Sequence, residues 1–175
     1  MTKRAMAPIV NGPVALRLLE AGDLPMTRRW RNQDEIRKWF LTSTVVTAEQ
    51  HAAWFEQYRD RDDDFVFVIE DTARRRQPVG QVSIYQIDWD HRLAKFGRLM
   101  IGELAAQRRG LARAAVATLV NVTESTLGLE ELRLEVLSGN HVAIAIYQQC
   151  GFGTVEQVGD EVRMVRHSKP MSRPS

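Results

Sequence analysis

The chain has 175 residues, 44% of them hydrophobic, enough to bury the core of a single compact domain. Its 24 basic and 22 acidic residues leave a formal net charge of +2 and are spread along the chain, which excludes the broad basic face of a nucleic-acid binder. No window approaches the roughly 20 consecutive apolar residues of a membrane span, and "MTKRAMAPIVNGP" lacks the apolar segment of a secretion signal, so a soluble cytoplasmic protein with no membrane partner is expected.

After an irregular start, Val14 to Leu19 alternates as a strand, and "AGDLP" opens a helix with Asp23 as N-cap and "RRWRN" at its end. A break at "LTSTVV" precedes "TAEQHAAWFEQYRDR". There Thr47 and Gln50 have capping-box spacing ahead of an apolar stripe of Ala53, Trp54 and Tyr58, which predicts a second helix. Phe65 to Glu70 and Pro78 to Ile87 read as core strands, and Arg74, Arg75 and Arg76 between them as a solvated hairpin tip. Leu93 to Gly102 makes another strand. From Leu111 to Leu127 the apolar positions follow helical spacing, with Gly128 as the stop. "ELRLEVL" alternates as a strand, and "NHVAIAIYQQC" is a helix opening at Asn140. "TVEQV" and "EVRMVRH" are short strands, and "SKPMSRPS" a loose tail.

The single cysteine, Cys150, excludes an intrachain disulfide and reads as a packed thiol beside "GF"; the four histidines lack metal-ligand spacing, so no metal is expected. The order strand, two helices, three strands, helix, strand, helix, strand, strand predicts an α/β (α+β) fold with a largely antiparallel central sheet.

"GELAAQRRGLARAAV" (Gly102 to Val116) carries a predicted strand through a short loop into a predicted helix, with Gly110 at the turn. Glycine lets a backbone approach a ligand closely, and the free N–H groups and dipole of a first helical turn suit a phosphate. By themselves these residues are equally a turn and a solvated helix start.

The loop resembles the pyrophosphate loop of the GNAT superfamily of acetyl-CoA-dependent N-acetyltransferases, Gln/Arg-x-x-Gly-x-Gly/Ala, with Gln107, Gly110 and Ala112 at its positions. "LEELRLEVLSGNHVAIAIYQQCGF" is similar to that family's second signature: a strand, an asparagine opening the next helix, a tyrosine seven residues on, then "GF". The resemblance implies a GNAT fold over residues 1–175 as a single domain, core about 14–168, with a mixed sheet of six to seven strands and about four helices. It implies acetyl-CoA as donor, with backbone near Leu99, Met100 and Ile101 pairing with the pantetheine arm. The segment Arg108, Arg109, Gly110, Leu111, Ala112 and Arg113 would hold the pyrophosphate, its arginines reaching the outer phosphates. Asn140 would line the cleft, and Tyr147 would protonate the departing thiolate after direct attack by an amine. Without that motif, Tyr147 reads as a core tyrosine. The base candidates are Glu103 and His51, or water leading to solvent.

In this superfamily the first two helices shape the acceptor site. Here they supply Trp30, Arg31, Asn32, Arg37, Trp39 and His51. Aromatic faces suit sugar rings and arginines suit phosphates, and "RN…IRKW…EQH..WF" resembles the branch acetylating nucleotide-linked amino sugars. The expected acceptor is therefore the amine of a nucleotide-activated amino sugar. The same motifs also resemble acetyltransferases of polyamines and protein N-termini, and a non-catalytic acetyl-CoA-binding module is the reading of another class. A polyamine site calls for carboxylates, which the arginine-rich first helix does not supply. Strand candidates at the C-terminal end would allow pairing into a homodimer.

Overall fold

The computed structural model describes residues 6–168; the expected loose tail lies mostly outside them. In chain order the elements are β1 (Ile9–Asn11), β2 (Val14–Leu18), α1 (Leu24–Asn32), α2 (Asp34–Arg37), α3 (Ala48–Tyr58), β3 (Asp64–Asp71), β4 (Gln77–Asp88) and β5 (Leu93–Ile101). They continue with α4 (Leu111–Ser125), β6 (Glu131–Leu137), α5 (His141–Gln149), β7 (Gly153–Val158) and β8 (Glu161–His167). One sheet of eight strands runs β1-β2-β3-β4-β5-β6-β8-β7. Every neighbouring pair is antiparallel except β5 and β6.

The mixed, largely antiparallel α/β architecture is the expected one, with more elements than the six to seven strands and about four helices anticipated. The extra strand is β1, which pairs with β2 across the two-residue turn Gly12-Pro13 inside what reads from sequence as an irregular start. The extra helix is α2, separated from α1 where Gln33 takes an extended ψ of 131°.

β3 is buried along its whole length because both of its faces are covered. Phe65, Phe67 and Ile69 join the core beneath α4, with Leu111, Ala115, Val116 and Leu119. Val66 and Val68 face the other way, against Leu19, Phe55 and Tyr58. The sheet is thus sandwiched, with α3 on one face and α4 with α5 on the other.

Local signals explain the helix starts. Thr47 Oγ1 accepts from Gln50 N while Gln50 Oε1 accepts from Thr47 N, the predicted reciprocal cap. Asn140 Oδ1 accepts from Ala143 N at 3.3 Å. Asp23 precedes α1 as predicted, but its carboxylate does not cap that helix. It accepts two bonds from Arg17 and one from Glu20 N. Arg17 in turn donates to Glu70 on β3 at 2.8 Å, tying the start of α1 to the sheet.

Candidate active site

The sheet opens at its one parallel junction. β5 and β6 pair only at Leu93–Lys95 against Glu131–Arg133. Beyond Arg133, β6 continues against β8 alone, while β5 stays with β4 as far as Ile101. A bulge marks the divergence: Gln81 faces Met100 and Ser83 faces Gly97, so Arg98 and Leu99 together stand opposite Val82. Arg98 takes the extra residue's conformation, with φ at 50°. The outer half of β5 therefore turns an unpaired backbone edge toward a wedge between the two strands, and this wedge is one wall of a cavity of about 1020 Å³.

At one end of the cavity lies the loop from β5 to α4. Its last residue, Gly110, has φ at 76°, a left-handed conformation that glycine adopts without a steric penalty. The first intrahelical bond runs from Ala114 N to Gly110 O at 3.0 Å. The amides of Leu111, Ala112 and Arg113 thus lie in the open first turn, and no side chain caps them. Fifteen residues of helix stand behind that end, an arrangement that suits an anionic group. Gln107 Nε2 donates to Ile101 O at 3.2 Å and closes the loop at its base. Of the predicted donor-side residues, Leu99, Met100, Ile101, Gln107, Arg108, Gly110, Leu111, Ala112, Arg113, Asn140 and Tyr147 all line this cavity. Arg109 does not; its guanidinium turns to Asp71 on β3, 2.5 Å away.

Tyr147 reaches the wall from α5 with its ring against Phe96 and Phe152. It is 6% exposed, and its hydroxyl has no hydrogen-bond partner among the described residues. Burial, with smaller contributions from Tyr85 and Cys150, pushes its pKa well above that of an ordinary tyrosine, so the proton stays on Oη at neutral pH.

The acceptor side departs most from the sequence reading. Arg31 and Trp39 line the cavity. Trp30 is fully buried, donating from Nε1 to Glu103 Oε1 at 2.7 Å and lying flat on Gly102. Asn32 is consumed by a reciprocal pair with the backbone of Val46, and Arg37 by Asp34 and Ser43 O. Neither base candidate is on the wall. Glu103 is held by Trp30 and Arg29. His51 stacks on Trp54 with its Nδ1 buried and unpaired, and burial depresses its pKa.

Among the polar wall residues that residue type alone did not single out are Glu35, Tyr85, Arg98 and Glu135. Arg98 is neutralised by both carboxylate oxygens of Asp64 and lies 4.2 Å over the Tyr85 ring. Glu135 accepts from Lys95 at 3.0 Å. Its signal was the alternation of "ELRLEVL", which puts Glu131, Arg133 and Glu135 on the face opposite Leu132, Leu134 and Val136.

The model of the acetyltransferase (GNAT) domain family matches residues 14–153. The chain is similar to the spermidine N(1)-acetyltransferase of Vibrio cholerae, 25% identical over 143 residues, which is 82% of this chain and 80% of that protein. It is also similar to human alpha/beta-tubulin-N-acetyltransferase 9, 24% identical over 135 residues, 72% of this chain and 65% of that one. The crystal structure of spermidine N-acetyltransferase from Vibrio cholerae in complex with CoA and spermine superimposes with a TM-score of 0.81 at 23% identity, covering 90% of this chain and 96% of that chain. By their names these relatives act on spermidine and tubulin, not on the nucleotide-linked amino sugars of the branch that the first helices resemble. Trp30, Asn32 and Arg37 of that pattern are spent on internal contacts.

Proposed function

We propose, on the premise that the chain belongs to the acetyltransferase (GNAT) family and is an acetyl-CoA-dependent N-acetyltransferase, that its acceptor is a primary amine of an aliphatic polyamine. The observation that carries this reading is the pair of carboxylates, Glu35 and Glu135, on the wall of the cavity that also receives Tyr147. Among the described residues Glu35 pairs only with Lys38; its own side chain is largely exposed and that of Lys38 about half exposed. Such a pair contributes about 0–1 kcal/mol, so an incoming ammonium displaces the lysine at little cost. Of the two arginines on this side one is neutralised by a carboxylate, and the other keeps a buried Nη1 without a partner among the described residues. Arg98 is bound to Asp64, and Arg31 stacks on Phe40 and donates to Thr42 O.

Acetyl-CoA supplies the activated acyl group as a thioester. The uncapped amides of Leu111, Ala112 and Arg113 suit its pyrophosphate, and the free outer edge of β5 suits its amide-bearing arm. Arg108 and Arg113 are the wall cations at that end. Tyr147 Oη keeps its proton at neutral pH and sits at the cavity wall with its ring among aromatic neighbours, and it serves as the acid that protonates the leaving sulfur. Glu35 holds the cationic acceptor, and Glu135, which also accepts from Lys95, orients its amine.

Thiol release from acetyl-CoA is the test, across spermidine, spermine, simple monoamines, N-terminal peptides and UDP- and dTDP-linked amino sugars. Polyamines are expected to be turned over with kcat/KM at least a hundredfold above the sugars. Glu135→Gln should raise the polyamine KM about tenfold with little change in the KM for acetyl-CoA. Turnover confined to nucleotide sugars or peptides overturns the assignment.

A further inference from the structure

Asp71 lies at the end of β3, outside the cavity, and its side chain has no solvent exposure. Its Oδ1 accepts from Ala73 N at 3.0 Å, starting the short turn that follows the strand. Its Oδ2 accepts from Arg109 Nη1 at 2.5 Å, and Arg74 Nε stands 4.0 Å off. A carboxylate buried this completely is retained only with strong partners. Here burial opposes ionisation, but the bonds from Arg109 and Ala73 outweigh it.

What Arg109 contributes is its place in the chain. It sits between Arg108, with φ at 58°, and Gly110, with φ at 76°. Gly110 adopts its left-handed φ freely, but Arg108 has a Cβ that disfavours the same region. The start of the loop is held at Gly102 and Glu103, by Val79 O, Gln33, Trp30 and Arg29; among the described residues the side-chain bonds of its second half are Gln107 to Ile101 O and, at the tip, Arg109 to Asp71. The second reaches 38 positions back along the chain, to a rigid central strand.

We infer that Asp71 is a positioning residue for donor binding, which fixes the phosphate loop through Arg109 and so presets the amides of Leu111 to Arg113. Arg109, counted among the phosphate-contacting arginines on sequence grounds, works instead as the tether. The inference rests on acetyl-CoA use and not on the acceptor assignment.

The test is calorimetric titration of the full-length protein with CoA alone, which keeps the result independent of the acceptor. Asp71→Asn keeps the bond to Ala73 N and removes the charge; Arg109→Met removes the tether from the other end. Each is expected to weaken CoA binding about tenfold, and the double variant to bind no more than twofold worse than the weaker single. With a competent amine, the KM for acetyl-CoA should rise while kcat at saturation stays within twofold. Arg109→Lys should recover part of the affinity. Binding within twofold of the parent in Arg109→Met, tighter binding in Asp71→Asn, or additive losses overturn the proposal. If Asp71→Asn does not fold, the Arg109→Met and Arg109→Lys pair decides the matter alone.

Discussion

Replacing Tyr147 by phenylalanine separates its chemistry from its packing. The ring contacts with Phe96 and Phe152 remain, and the hydroxyl that is lost has no partner among the described residues. No buried donor or acceptor is orphaned, so the stability change is expected within about 1 kcal/mol. A general acid contributes roughly 10²–10⁴ to rate, so kcat should fall at least about a hundredfold, or about 2.7 kcal/mol at 1.36 kcal/mol per decade. The KM for acetyl-CoA should stay within twofold, because the phosphate loop and the edge of β5 are untouched. Steady-state thiol release at saturating amine, with a thermal melt of the same samples, reads all three quantities. The pH profile adds an internal check. Burial raises the Tyr147 pKa, so the acid keeps its proton past the ordinary tyrosine value of 10.0, and no descending limb attributable to it should appear below that pH. A variant with kcat within twofold of the parent refutes the assignment of Tyr147 as the acid.

Gly102→Ala places a Cβ 2.0 Å from Trp30 Cγ, inside a fully buried indole; the overpacking should cost at least about 1–3 kcal/mol, read as a lower urea midpoint at unchanged slope. Gly110→Ala meets no neighbouring atom within 4 Å but forces an alanine to φ of 76°, so about 1–2 kcal/mol of strain and a raised KM for acetyl-CoA are expected, without a packing defect. For Asp23, burial opposes ionisation, but the bonds from Arg17 and Glu20 N prevail and its folded-state pKa is depressed. The stability it contributes is therefore present above the ordinary carboxylate range and lost as pH falls through that depressed value. Melts of the parent and Asp23→Asn should differ at pH 6 and converge toward pH 2.5; a gap constant across that range would contradict the linkage.

How far the sequence discloses this molecule depends on how far apart the interacting residues lie. The cap at Thr47 and Gln50 spans three residues, and the alternation of β6 is a property of seven, so both were legible. β1 was not, because three residues carry no period. Its one cue was Gly12, the first residue of the two-residue turn Gly12-Pro13, which has φ at 56°. On the donor side, the loop and Tyr147 sit within contiguous motifs, and nearly all the residues chosen there line one cavity. The acceptor side was chosen by residue type, and its true partners are distant in sequence. Glu103 lies 73 positions from Trp30, and Val46 lies 14 from Asn32. A tryptophan and an arginine in one helix look the same from sequence whether they face a ligand or a neighbouring carboxylate.

The bulge at Arg98 also acts as a phase shifter. Before it, Ala94 and Phe96 face the α4 core, and in an unbroken strand Met100 would follow them. The extra residue inverts the parity: Leu99 and Ile101 pack toward α4, and Met100 crosses to Trp30 and Ile36 beneath α1 and α2. Deleting Arg98 alone would therefore exchange the inner and outer residues of the last third of β5. One inserted residue thus lets a single strand serve two different cores along its length.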